Sequence, residues 1–265
     1  MKVIVLGHTG MLGRYVYKYF LKRFDVGFND QFLLPRDIDV VKNNIIKQSA
    51  NIVINCIGVV KQRRDVSQEV SSYVNSIFPH VLSDFCTDNN INMIHISTDC
   101  VFNGSRGQYL EDDLTDAHDF YGVSKILGEP VNCSVIRSSF VGEELKRKLS
   151  LLEWFKSKAG SRCLGFENHY WNGITALQLA KVIEKIINTK EFWKGIRHVF
   201  TDHAISKFDL LCLINKAFDL KIDIKRARHE ININRVLNTK FKNFQHSLLI
   251  PPLDRQIREL SRFDI

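Results

Sequence analysis

The opening thirteen residues, "MKVIVLGHTGMLG", restrict the fold more than any other stretch of the chain. "MKVIVLG" is a short run rich in valine and leucine, the pattern of a strand buried on both faces. It runs into Gly7, Gly10 and Gly13 in a G-x-x-G-x-x-G spacing, and then into a helical pattern from Met11 to about Arg23. Strand, glycine loop and helix in that order form the turn that receives a pyrophosphate in dinucleotide-binding folds. Each glycine has a physical task there. Gly7 permits the tight turn, Gly10 lets backbone N–H groups approach the phosphates, and Gly13 allows close helix–sheet packing. Thr9, Met11 and Leu12 complete the loop that would face the cofactor.

The rest of the first half keeps the alternation going. A second strand is expected at "FDVGF", with further strands at "NIVINCIG" (51–58), "INMIHIST" (91–98) and "CSVIRSS" (133–139). Helical patterns at 40–49, 68–89 and 118–129 lie between them. Alternating strand and helix predicts an α/β fold with a parallel, doubly wound sheet and helices on both faces. The pattern then loosens. "LLEWFKSKAG" reads as a helix closed by Gly160, and "TALQLAKVIEKIINTK" as an amphipathic helix burying Leu177, Ala180, Ile183 and Ile187. "SKFDLLCLINKAFDL" opens with Ser206 and Asp209 in capping-box spacing, and "PPLDRQIREL" starts a helix at a proline. We expect a Rossmann domain over residues 1–142 and a small C-terminal α/β substrate-binding lobe over 143–265, interleaved because no linker separates them.

Bulk properties exclude several functions. No apolar run approaches the roughly 20 residues that span a bilayer, and Met1 leads straight into the first strand, so the expected location is the cytoplasm. Six cysteines are scattered without a C-x-x-C pair, and the nine histidines show no H-x-x-x-H spacing, so no metal is expected. The net charge of +8 suits a phosphate-bearing cofactor or substrate. The densest basic stretch, "KIDIKRARHE", alternates charges with isoleucines and reads as a strand edge with a solvated face, not a nucleic-acid site.

The chemistry lies at a strand end. Thr98 closes the fourth strand in "HISTDCVFNG", and ligands bind at the carboxyl ends of such strands. Tyr121 and Lys125 follow in "FYGVSK", four residues apart and so on one helical face. An ammonium beside a phenol would lower its pKa toward neutrality. Thr98 would help hold a substrate carbonyl oxygen while Tyr121 donates its proton. Hydride would come from NADP(H) or NAD(H). Asp30 is placed to read a ribose hydroxyl and Arg14 or Arg36 a phosphate, which leaves the two cofactors open. Asp39 serves equally as a helix N-cap. His8 is expected to face solvent.

Together the glycine loop, "DIDV", "NCIG", Asn75, "STDCVFNG" and "YGVSKILGE" resemble the extended short-chain dehydrogenase/reductase superfamily. Within it the chain is most similar to the dTDP-4-dehydrorhamnose reductase family. The ordered motifs cover residues 1 to about 142, with looser similarity to the end. The resemblance implies Thr98 as the active-site hydroxyl, Tyr121 as the proton donor and Lys125 as the ribose ligand. It places Asp39 and Val40 near the adenine, Cys56, Ile57 and Gly58 along the dinucleotide, and Asn75 on the cofactor side. Arg137 matches a structural arginine after the fifth strand. Cys100 stands where these reductases usually carry a tyrosine, near the substrate, and Val101 follows it. Trp154, His169 and Trp171 are candidates for the sugar pocket or for the core.

The reaction implied is NAD(P)H-dependent reduction of a nucleotide-linked 4-keto-6-deoxy sugar, with a nucleotide-diphosphate keto-sugar as the partner. The family is compatible with a homodimer. An epimerase or dehydratase of the same fold is the nearest alternative. A non-catalytic NADP(H)-binding regulatory subunit is the alternative from another class.

Overall fold

A computed structural model of the 265-residue chain describes residues 1–29, 37–63, 65–146 and 148–265. Asp30 and Arg36 lie outside the described residues. The opening run forms β1 (Lys2–Leu6), with Val3, Ile4, Val5 and Leu6 all buried. There follow α1 (Met11–Phe20), β2 (Asp25–Asn29), α2 (Ile38–Lys47) and β3 (Ile52–Asn55). Next come α3 (Gln68–Ser72), α4 (Phe78–Asp88), β4 (Asn92–Thr98), α5 (Phe120–Ile126) and β5 (Ser134–Ser138). All strand pairings among these are parallel. Successive strand residues face opposite sides. Val3, Val5, Ile52, Ile54, Ile94, Ile96 and Ile136 join one hydrophobic core, and Ile4, Leu6, Val53, Met93 and Val135 the other.

The second half contributes β6 (Phe140–Val141), α6 (Leu151–Lys156), β7 (Arg162–Phe166), β8 (His169–Trp171) and β9 (Ile174–Thr175). It continues through α7 (Ala176–Thr189), β10 (Gly195–His198), β11 (Ile205–Ser206), α8 (Lys207–Ala217) and β12 (Asp223–Ala227). It ends in β13 (Ile233–Asn234), α9 (Lys242–Ser247) and α10 (Leu253–Leu260). β10 pairs in parallel with β5, completing a six-stranded sheet in the order β10-β5-β4-β3-β1-β2. α7 packs on α1, so the later chain also covers one face of that sheet. The chain leaves β1 toward β2 and returns to β3 on the other side, making β1/β3 the topological switch point where such sheets bind ligands. Three short sheets, β11-β8-β13, β12-β7 and β6-β9, complete the second half.

Polar caps set the helix starts. Ser67, Asp119, Ser150, Thr175 and Ser206 each accept a backbone N–H three residues on. Local boundaries differ from the sequence reading in several places. Residues 68–89 do form one helical run, but a π-helical turn at Tyr73–Ile77 separates α3 from α4. Asp37, not Asp39, holds the N-cap position of α2. α6 stops at Lys156, and Gly160 with φ +70° ends the turn beyond it. Pro252 is the N-cap of α10, one residue before its first turn. In α8 the Ser206 hydroxyl donates to the Asp209 carboxylate at 2.6 Å while accepting the Asp209 N–H at 3.0 Å.

Arg137 lies within β5, not after it. Its guanidinium makes a two-pronged ion pair with Glu129 at 2.7 and 2.6 Å, and both side chains are buried. Among the described residues no helix is long and apolar enough to cross a membrane.

His95 and His198 are both fully buried, and burial holds each below the usual histidine value of 6.5. Both are therefore neutral in the fold, whereas the unfolded chain takes up a proton at each below about 6.5. Their contribution to stability is complete above that pH and is lost as pH falls. His95, held well below its usual value, costs about 1.4 kcal/mol per pH unit while only the unfolded chain is protonated, and His198 adds in the same direction. Urea midpoints are expected to fall from pH 7 to pH 5; a midpoint constant over that range would contradict the buried neutral state.

Candidate active site

Thr98, at the end of β4, caps a single 3-10 turn over Asp99–Val101 by accepting the Cys100 N–H at 3.1 Å. α5 presses its first turn onto this one. A side chain at Gly122 would bring its Cβ within 2.6 Å of the Cys100 carbonyl and 2.4 Å of the Ala117 methyl. Only glycine allows that approach, which sets Tyr121 where the Thr98 hydroxyl acts on its phenol, while Thr98 Oγ1 itself donates to Asp99 Oδ1 at 3.2 Å. One turn later Lys125, only 4% exposed, donates from Nζ to the Ile96 carbonyl at 3.0 Å and lies 3.4 Å from His95 Nε2. The structure thus brings Thr98, Tyr121 and Lys125 to one strand end.

The electrostatics depart from the sequence reading. Tyr121 is pushed above the ordinary tyrosine value, first by burial and then by Cys100, with the Thr98 hydrogen bond acting the other way. Lys125 does not pull it down, because the amine is turned to Ile96 and His95. Lys125 itself is lowered to about 8 by burial, against the attraction of Glu129. Tyr121 is consequently a neutral phenol at physiological pH, the protonation state that a donor needs. Asp99 is buried beside Thr98, and burial raises its pKa. The Cys100 thiol is pushed up to about 12 by burial and then by Asp99, which makes it an unreactive lining group.

The glycine loop fits a dinucleotide phosphate. Gly7 has φ +79°, and a Cβ at Gly13 would lie 2.1 Å from the Gly7 carbonyl oxygen, so helix and loop touch backbone to backbone. A Cβ at Gly10 would meet nothing nearer than that same oxygen at 3.3 Å, which leaves the space in front of the helix open. α1 has no side-chain cap and no acid in its first turn, and Arg14 Nε is buried without a hydrogen-bond partner. Free N–H groups, a helix dipole and a half-buried cation favour an anion there. Thr9 is exposed beside this space, whereas Leu12 is a core side chain that leaves only its backbone to the loop. His8 stacks near Phe28 at 4.4 Å and against Tyr17 at 5.5 Å, instead of facing solvent.

Cys56 and Ile57 abut Gly7: a Cβ there would lie 3.1 Å from the Cys56 carbonyl carbon and 3.0 Å from Ile57 Cγ1. Gly58 is exposed just beyond. Asn75 lies behind this segment. Its Oδ1 accepts the Val59 N–H at 2.8 Å, and its Nδ2 donates to the Val59 carbonyl and the Ser124 hydroxyl at 2.9 and 3.0 Å. The π-helical turn aims it there, and the asparagine ties the loop to α5. Both amide hydrogens are used internally, so its part is to position the loop. Asp39 and Val40 are exposed in the first turn of α2.

A cavity of about 380 Å³ runs from Met11 past Asp99 and Cys100 to His169, Tyr170 and Trp171. Lys61, Lys207 and Arg235 also line it. Sequence reasoning singled out none of these three. Lys61 lies in "VVKQRR", whose basic character was the available signal; Lys207 and Arg235 gave none. Two expected pocket residues are elsewhere. Val101 is fully buried in a small core with Phe102 and Tyr109, and Trp154 is 41% exposed with its ring against Phe155.

The family model of the RmlD substrate binding domain matches residues 1–242. The chain belongs to this family. The Bacillus anthracis dTDP-4-dehydrorhamnose reductase in complex with NADP superposes with a TM-score of 0.83 over 98% of both chains at 18% identity, a likeness of fold. By sequence, the methionine adenosyltransferase 2 subunit beta of Danio rerio is 27% identical over 244 residues, 83% of this chain and 74% of its own. A dTDP-4-keto-6-deoxy-D-glucose reductase of Streptomyces niveus is 25% identical over 172 residues, 57% of each chain.

Proposed function

We propose that this member of the RmlD substrate-binding family is an NAD(P)H-dependent reductase of a nucleotide-linked 4-keto-6-deoxy sugar. The observation that carries this is the convergence of Thr98, a protonated Tyr121 and Lys125 at the end of β4, where Asp99 and Cys100, next along the chain from Thr98, line the cavity together with Met11 of the glycine loop. The α1 N-terminus, Gly10 and Arg14 would hold the dinucleotide phosphates, and Cys56–Gly58 would flank it. When bound, the dinucleotide supplies hydride. The chain's own residues do the rest. Thr98 and Tyr121 hold the carbonyl oxygen, and Tyr121 O–H gives it a proton as hydride reaches the carbon. Lys125 orients the ribose. The short sheets of the second half, which bring His169 and Trp171 to the cavity, would hold the sugar, with Cys100 against it.

Lys61, Lys207 and Arg235 support a diphosphate-bearing substrate. Among the described residues none of the three forms an ion pair, and Lys207 is lowered by burial and then by Lys61. A bound diphosphate would relieve that repulsion. Lys207→Ala is expected to raise KM for the nucleotide sugar by about ten- to a hundredfold, as one charge-assisted bond is lost, with kcat little changed. An unchanged KM would remove Lys207 from the substrate site. The function itself is tested by adding NADPH and a panel of dTDP- and UDP-4-keto-6-deoxy sugars: stoichiometric loss of nicotinamide absorbance supports a reductase. Turnover of sugar without net oxidation points to an epimerase or dehydratase.

The relationship to methionine adenosyltransferase 2 subunit beta favours a second reading, a dinucleotide-binding regulatory subunit. Tight NADPH binding without turnover of any keto-sugar, together with co-purification of a partner enzyme, would support it.

A further inference from the structure

Behind Lys125 lies a buried chain of polar groups that the proposed reaction does not use. The Ile57 N–H donates to Asn55 Oδ1 at 3.1 Å, which fixes the amide so that Nδ2 faces His95 Nδ1, also at 3.1 Å. A nitrogen that accepts a hydrogen bond carries a lone pair, so the neutral imidazole bears its proton on Nε2. Nε2 points at Lys125 Nζ, 3.4 Å away. An N–H facing an ammonium is a clash of donors; an N–H facing an amine is a hydrogen bond. His95 and Asn55 are both 0% exposed, and Lys125 is 4% exposed, so no solvent screens the contact.

We propose that His95, oriented by Asn55, presents a donor N–H to Lys125, so that the ligand-free site favours the neutral amine over the ammonium and makes the lysine's charge a switchable property. Lys125 lies near 8 in this site, and the imidazole cannot relieve it by taking up charge, since burial, Lys125 and then His80 all oppose that. From α5 and the turn after it, Lys125 itself and Glu129 are the charged groups that act; from α4 it is His80; from β3 the neutral Asn55. When Nζ takes a proton from solvent it keeps Ile96 and turns its remaining N–H bonds away from the Nε2–H. His95 is thus a positioning residue that acts through Lys125. Its importance for catalysis rests on the reductase reading, but the charge state of Lys125 does not.

Ligand-free protein with isotope-labelled lysine and histidine tests this by NMR, without any turnover. The His95 nitrogens are expected to report a protonated Nε2 and a lone-pair Nδ1 throughout pH 6–9, with Lys125 titrating near 8. Asn55→Leu frees the imidazole to move its proton to Nδ1 and offer a lone pair to the ammonium. It is expected to raise the Lys125 midpoint by a pH unit or more, a tenfold change in proton affinity. A protonated Nδ1 in the unaltered protein, or a midpoint that stays put in Asn55→Leu, would overturn the proposal. The tautomer measurement decides the matter even where Asn55→Leu does not fold. If the tautomer and midpoint are as expected but no keto-sugar is reduced, the switch stands and the reductase reading fails.

Discussion

Tyr121→Phe is expected to lower kcat about a hundred- to ten-thousandfold, the range attributed to loss of a positioned general acid. Removing the phenol oxygen leaves the Thr98 cap on Cys100, the Gly122 approach and the Ile96 tether of Lys125 in place. NADPH affinity and thermal midpoint should therefore stay close to those of the unaltered enzyme. The pH profile sharpens the prediction. Burial raises Tyr121 above the ordinary tyrosine value, so the donor stays protonated across the physiological range. Any loss of rate on the alkaline side near pH 8 should belong to Lys125, not to the phenol. Steady-state kinetics of the variant from pH 6 to pH 9 check both points, and full turnover in Tyr121→Phe would sink the mechanism.

Glu129→Ala is the substitution expected to cost the most stability. Its carboxylate takes both prongs of the Arg137 guanidinium and the Ser97 hydroxyl, the last at 2.6 Å, with the arginine and glutamate side chains 4% and 5% exposed. Truncation leaves an arginine buried without its counter-charge, a loss of about 3–5 kcal/mol. The Phe102 ring, 5.4 Å from the guanidinium, offsets little of this. Urea unfolding measures the loss directly. Replacing both partners, Glu129→Leu with Arg137→Met, should recover much of it, because the cost comes from the unpaired charge.

What the sequence made legible follows from how local each signal is. The parallel sheet was readable because β1, β3, β4 and β5 are continuous apolar runs, and the glycine loop because its three glycines fall between a strand and a helix, where Gly7 takes a positive φ and Gly13 meets it backbone to backbone. Thr98, Tyr121 and Lys125 were found as motif residues, and the contact of Gly122 with the Cys100 carbonyl explains physically why they meet. The cavity was harder. Lys61, Lys207 and Arg235 come from three segments distant in sequence, and no spacing links them. Trp154 looked like a pocket aromatic but sits on the exposed face of α6, since helical phase and not residue type decides where a side chain points. The protonation of Lys125 was out of reach too. A lysine four residues after a tyrosine implies an ammonium beside a phenol, and only the fold shows that His95 and Ile96 hold the amine instead.

In the proposed reduction, hydride from NADPH would reach C4 of the nucleotide-linked keto-sugar held by this chain. Incubation with NADPH deuterated at the transferable C4 position, followed by mass spectrometry and NMR of the sugar, tests it most directly. One deuterium at sugar C4 is expected for each NADPH consumed, and none with Tyr121→Phe on the same timescale. Deuterium retained in the dinucleotide across the whole panel, with the cofactor bound but unconsumed, would contradict it.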